Sequence, residues 1–154
     1  IGEGVIVEER YSDGTSNTYT AISGGLATSA EELPLVVLVN GASASAAEIV
    51  AGAIQDSGRG VLVGAETYGK GSVQIPHRLS DGSQLRITVA HWFTPAGRDI
   101  HEAGLTPDVE VALDWEKYLS GADTQLQRAI EILLRQAAME FSTGRVPIRT
   151  PSRT

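Results

Sequence analysis

A serine among small residues and a lysine between two glycines carry most of the chemistry this sequence offers. Ser45 lies in Gly41-Ala42-Ser43-Ala44-Ser45-Ala46-Ala47, where an apolar run gives way to a helical segment. Small neighbours let a substrate backbone approach closely, and N–H groups at a helix start can stabilise an oxyanion, so Ser45 is a candidate nucleophile. Serine at a helix start also serves as an N-cap, and position alone favours that bland role for Ser43 or Ser45. An activating base changes the weighing. Histidine is the usual base, but His77 and His91 fall in strand patterns and His101 in a polar loop. None of the three has an acid placed as an obvious orienter, and their spacings match no metal motif.

Lysine is the other base that a serine can use. It must be neutral to accept a proton, so its pKa must fall from ~10.4, which burial without a carboxylate partner achieves. Arginine cannot replace it, because arginine does not deprotonate usefully. The chain has twelve basic residues, and only Lys70 and Lys117 are lysines. Lys70, Ser72 and Gln74 would share one face of a strand entered from the Gly69–Gly71 turn. Gln74 offers an uncharged hydrogen-bonding partner that orients the lysine amine without raising its pKa. Without the serine, Lys70 reads as a solvated turn lysine. The same stretch, Gly64-Ala65-Glu66-Thr67-Tyr68-Gly69-Lys70-Gly71, nearly matches a phosphate-cradling loop. The match fails because Gly71 supplies no hydroxyl for Mg²⁺ and because a strand, not a helix, follows.

These residues need elements to hold them. Leu35–Val39 is a continuous β-branched and apolar run, the pattern of a strand buried on both faces. Glu48–Asp56 carries Ile49, Ala53 and Ile54 at helical spacing and stops at Ser57-Gly58, and Gly60–Gly64 is another buried strand. Together they predict a strand–helix–strand unit of a parallel layer. Ahead of it, Val5–Glu9 and Thr18–Ile22 predict a hairpin, followed by a loop from Gly24 to Pro34. Behind it, Val73–Leu79 and Leu85–Phe93 predict a long antiparallel hairpin, Thr94–Arg98 a turn, and Leu105–Val111 a short strand interrupted by Pro107. Leu126–Met139 predicts an amphipathic helix whose stripe Leu126, Ile130, Leu133, Leu134 and Ala137 faces the core.

The length of 154 residues with 42% hydrophobic content fits one globular domain or one piece of a larger one. A formal charge of -7 argues against nucleic acid and anionic membranes as partners. The absence of cysteine excludes disulfide scaffolds, thiolate zinc sites and cysteine nucleophiles together. No apolar run approaches the ~20 residues needed to span a bilayer.

Taken in order, several stretches resemble the carboxyl-terminal processing (tail-specific) proteases, serine peptidases with a serine–lysine mechanism. They are Leu38–Asp56, Val63–Gln74, Asp81-Gly82-Ser83, Phe93–Arg98 and Gly104–Asp108, which together span roughly residues 35 to 111. The resemblance implies an α/β fold with a mixed sheet and a crotonase/ClpP-like serine peptidase core, truncated at the N-terminus. By position it places the nucleophile on Ser45, the general base on Lys70, the lysine-orienting glutamine on Gln74 and one oxyanion donor on the Ala46 backbone N–H. Ser43 aligns with a small or hydroxyl position before the nucleophile. Asp56 matches a family carboxylate and reads as structural support, since a charge touching Lys70 would oppose its deprotonation.

Two departures are visible: Ala47 stands where the family often has a second serine, and Gly41-Ala42 varies the usual approach. The family's PDZ domain and its glycine-rich oxyanion loop precede the region where this chain begins. Residues 1–139 are therefore expected to form the C-terminal portion of the protease domain, and 140–154 a loosely ordered polar tail. The resemblance implies protein or peptide substrates with apolar C-terminal tails, no metal or organic cofactor, and a place in the periplasm or cell envelope. A chain lacking core strands is also expected to pair with a second copy, as a possible homodimer. The competing reading is a non-catalytic binding or assembly module derived from the same fold.

Overall fold

Residues 1–24 and 33–142 are described by the computed structural model of the chain. The elements run β1 (Val5–Tyr11), β2 (Ser16–Thr20), β3 (Val36–Val39), α1 (Ala46–Asp56), β4 (Val61–Gly64), β5 (Ser72–Arg78), β6 (Gln84–Phe93), β7 (Val109–Glu110), α2 (Trp115–Leu119) and α3 (Thr124–Ser142). Most of the loop expected from Gly24 to Pro34 lies outside the described residues. Helix α3 continues to Ser142, and the rest of the expected 140–154 tail also lies outside them.

The strands form two sheets. The first has the order β2-β1-β6-β5 and is antiparallel throughout; the second has the order β3-β4-β7 and is parallel. Short turns join β1 to β2 and β5 to β6, which gives antiparallel pairs, whereas the α1 crossover brings β4 back beside β3 in parallel. The mixed α/β character expected from sequence is thus divided between sheets. Their shared core is Val39, Ala51, Leu62, Ile100 and Leu105, with Val37, Ile49, Ile54 and Trp92 packed against it. Trp92, from β6, ties the antiparallel sheet to the core of the parallel layer.

Three expectations need correction. β3 is not buried on both faces. Val37 and Val39 pack into the α1-side core, but Leu38, on the opposite face, remains 43% exposed. Helix α3 lies over β3 and β4, yet it turns the small Ala129 and the polar Gln125 inward and covers Leu38 only in part.

The α3 stripe is the second correction. Leu126, Ile130 and Leu134 are exposed, because Gln125 Nε2 donates to the Val111 carbonyl at 2.8 Å and seats the helix start at the end of β7. That bond and the close approach permitted by Ala129 set the rotation of the helix. The third is β7, which shrinks from Leu105–Val111 to two residues. Pro107 has no N–H to pair, and the ladder to β4 begins only after it, with Val63 opposite Val109. The single-turn helix α2, capped by Asp114 accepting from the Lys117 N–H at 3.1 Å, is too short to register as a periodic pattern.

Candidate active site

The turn after β3 is built by its own side chains. Asn40 accepts from the Ala42 N–H at 2.9 Å through Oδ1 and from the Ser43 N–H at 2.8 Å through its carbonyl. Ser43 Oγ accepts in return from the Asn40 N–H at 3.1 Å. Ser43 is therefore committed to the turn, which leaves Ser45 as the residue at the strand–helix junction. Ser45 has φ 57° and ψ −119°, one of only two non-glycine residues with positive φ among those described. Such a conformation costs on the order of 1–3 kcal/mol and persists only where surrounding contacts enforce it. Ala46 opens α1, and its N–H has no i−4 partner within the helix.

Lys70 lies on the loop from β4 to β5. The Thr67 N–H donates to the Leu105 carbonyl at 3.1 Å, the Glu102 N–H to Gly69 at 2.9 Å and the Trp92 N–H to Gly71 at 2.8 Å, so the loop is held along its length. The flanking glycines are required sterically. Gly69 has φ +83°, and a Cβ on Gly71 would lie 2.4 Å from the His101 backbone nitrogen. Between them the Lys70 side chain is exposed, and its amine makes no hydrogen bond among the described residues. The Tyr68 N–H donates to the Ser43 carbonyl at 2.9 Å, which joins the serine loop to the lysine loop. A cavity of about 750 Å³ opens there, lined by Ala42, Ala44, Lys70, Ser72 and neighbours that include His101. Ala44, immediately before Ser45, and Lys70 thus face one space.

The other predicted residues fall as follows. Gln74, in β5, is exposed, and its Nε2 donates to Thr88 Oγ1 across the hairpin at 3.3 Å, with no hydrogen bond between its amide and the lysine amine. Asp56 ends α1, eleven residues after Ser45, or roughly 16 Å along the helix axis. It pairs with Arg98 and accepts from the Ala96 N–H at 2.8 Å, which holds the Thr94–Arg98 turn against the helix end. Its role is structural.

Among the histidines, the expectation that no acid is placed to orient one is corrected. His91 Nδ1 lies 3.4 Å from Asp99 Oδ2, and its ring meets the edge of His101 at 4.3 Å. Strand β5 follows Gly71 directly, so the lysine loop lacks the helix that a phosphate site requires.

Glu48 was missed. It is fully buried, and its carboxylate accepts from the Ser45 N–H at 2.8 Å, Thr67 Oγ1 at 2.5 Å, the Gly69 N–H at 2.7 Å and the Lys70 N–H at 2.9 Å. The sequence carried a signal for part of this. Ser45-Ala46-Ala47-Glu48 has capping-box spacing, which predicts the bond from Glu48 back to the Ser45 N–H.

A sequence profile described as Peptidase family S41 matches residues 1–111. Over 148 residues the chain is 41% identical to the carboxyl-terminal-processing protease of Synechocystis sp., covering 94% of this chain and 34% of that protein. It is 44% identical over 111 residues to the chloroplastic C-terminal processing peptidase of Tetradesmus obliquus, covering 72% of this chain and 23% of the relative. The chain therefore spans about a quarter to a third of the length of these relatives. Among solved structures, it resembles the photosystem II D1 C-terminal processing protease with a TM-score of 0.66 and 43% identity, over 73% of this chain and 28% of that one. The tricorn protease matches with a TM-score of 0.54 and 26% identity, over 88% of this chain and 12% of its own. With residues 1–111 of its 154 inside the family profile, the chain belongs to peptidase family S41.

Proposed function

We propose that this chain carries the serine–lysine centre of a serine endopeptidase that cleaves protein C-terminal tails bearing small or apolar residues at the cut. The observation that carries this reading is the forced backbone of Ser45, a non-glycine residue at positive φ on a strand–helix junction, beside a cavity lined by its neighbour Ala44 and by Lys70. Family membership and the printed names of the relatives support the substrate class.

In the reaction Ser45 Oγ attacks the scissile carbonyl while the Lys70 amine takes its proton. The Ala46 N–H supports the developing oxyanion. Collapse of the tetrahedral intermediate breaks the C–N bond. Lys70 returns the proton to the leaving amine, and an acyl-enzyme remains on Ser45. Lys70 then takes a proton from water, the hydroxide displaces Ser45 from the acyl group, and the serine recovers its proton. Gln74 assists from β5 once its amide turns from Thr88 to the lysine.

The test is peptide hydrolysis by the complete protein together with covalent labelling by a serine-reactive phosphonate. Ser45→Ala and Lys70→Ala are each expected to abolish turnover, and Gln74→Ala to lower it about tenfold, the worth of one hydrogen bond. Normal cleavage by either of the first two variants refutes the mechanism. A protein that neither cleaves nor labels returns the chain to the reading of a binding module.

A further inference from the structure

Glu48 takes no part in the proton transfers above, yet it touches the backbone of both residues that do. Each of its oxygens accepts two hydrogen bonds. Oε2 receives the N–H groups of Ser45 and Lys70, and Oε1 receives the Gly69 N–H and the Thr67 hydroxyl. Four donors fill the acceptor sites of one ionised carboxylate, which has no donor of its own. A helix cap needs only the first of these bonds. The other three leave α1 and end on the loop that carries Lys70, from residues 19, 21 and 22 positions further along the chain.

The arrangement continues outward. Thr67 Oγ1, while donating to Glu48, accepts from the Leu105 N–H at 2.8 Å, so the segment that packs against Gly69 and Gly71 is tied to the same carboxylate. Capping of α1 does not account for a glutamate with this reach, and burying a charge is costly unless every lone pair is engaged.

We propose that Glu48 is a positioning residue for the peptidase reaction. One buried carboxylate fixes the backbone of the nucleophile relative to the backbone of the base, and Thr67 holds the carboxylate. This inference rests on the serine–lysine reading, and it goes beyond that reading in naming what sets the geometry. Its physical basis is that bonds to backbone N–H groups determine the path of the chain, whereas Lys70 itself is long and exposed. A displacement of about 1 Å between reacting groups can cost on the order of 10²-fold in rate.

The decisive variant is Glu48→Gln in the complete protein. The amide keeps the shape but has a single acceptor oxygen and an NH₂ group, which would face two of the four donors. The measurements are kcat and KM for peptide hydrolysis and hydrogen exchange at the Ser45, Gly69 and Lys70 amides. The expected result is a folded protein with kcat lowered on the order of 10²-fold, KM changed by less than about threefold, and exchange accelerated at those three amides. Thr67→Val serves where Glu48→Gln does not fold. It removes one donor and is expected to lower kcat about tenfold with KM held.

Wild-type kcat in a folded Glu48→Gln protein, or in Thr67→Val, overturns the proposal. So does a rate loss unaccompanied by faster exchange at the three amides. Failure of the serine–lysine reading itself is distinct: wild-type protein then shows neither cleavage nor labelling at Ser45, and the positioning role falls with it.

Discussion

Glu9 and Glu48 are both buried glutamates, 5% and 0% exposed, but they sit in regions built on different rules. Glu9, in β1, accepts from the Tyr19 hydroxyl at 3.0 Å and the Asn17 amide at 3.3 Å. Both donors are side chains on the adjacent strand β2, and the hairpin ladder would hold the same path without them. Glu48 binds mainly N–H groups, from loops that no ladder joins. Side-chain partners adjust by rotating, whereas backbone partners move only if the chain moves. The antiparallel sheet therefore places its buried charge where substitution is cheap, and the layer carrying Ser45 and Lys70 places its own where substitution alters the fold locally.

The contrast predicts a graded series, with the Glu48 rate loss at its upper end. The largest effect on stability is expected at Gly71. A methyl group there meets backbone, which cannot turn aside, so Gly71→Ala should cost on the order of 2–3 kcal/mol and shift the lysine loop. Chemical denaturation measures the first effect. Unchanged stability would mean that the loop is looser than its contacts imply.

The smallest effect is expected at Glu9. Glu9→Gln keeps an acceptor for Tyr19 and should cost about 1 kcal/mol or less, with peptidase kinetics unchanged. The hydrogen bond to Glu9 holds the Tyr19 phenol above its ordinary pKa, so its contribution is present below pH ~10 and lost as pH rises through the raised value. Titration of Tyr19 in the variant should move back toward the ordinary range. A Glu9→Gln protein as impaired as Glu48→Gln would erase the distinction between the two regions.

The same division explains what could be read from the sequence. The β3–α1–β4 unit and the β5–β6 hairpin announce themselves through contiguous residues, because a β-branched run or a turn is a local property. Ser45 and Lys70 stand out for the same reason, each set among small residues that a solvated surface would not need. What was hidden is non-local. The pairing of Glu8 with Phe93 joins strands that nothing in either run connects. The rotation of α3 goes with close packing at Ala129 and a hydrogen bond by Gln125, a residue that hydropathy assigns to the surface. Glu48 reads as a first-turn helix acid, and three of its four partners cannot be inferred from its neighbours. Apolar periodicity marks which residues are able to be buried, but polar groups that find partners decide which face is.

The backbone of Ser45 has one more consequence. At φ 57° a glycine would be at ease, and glycine at an N-cap is only a few tenths of a kcal/mol poorer than serine. Ser45→Gly should therefore raise the melting temperature by a few degrees while removing the hydroxyl that the proposed mechanism uses. Selection for durability alone would write glycine at position 45. Serine at that position is what the proposed nucleophile requires: a reactive group kept where glycine would endure better.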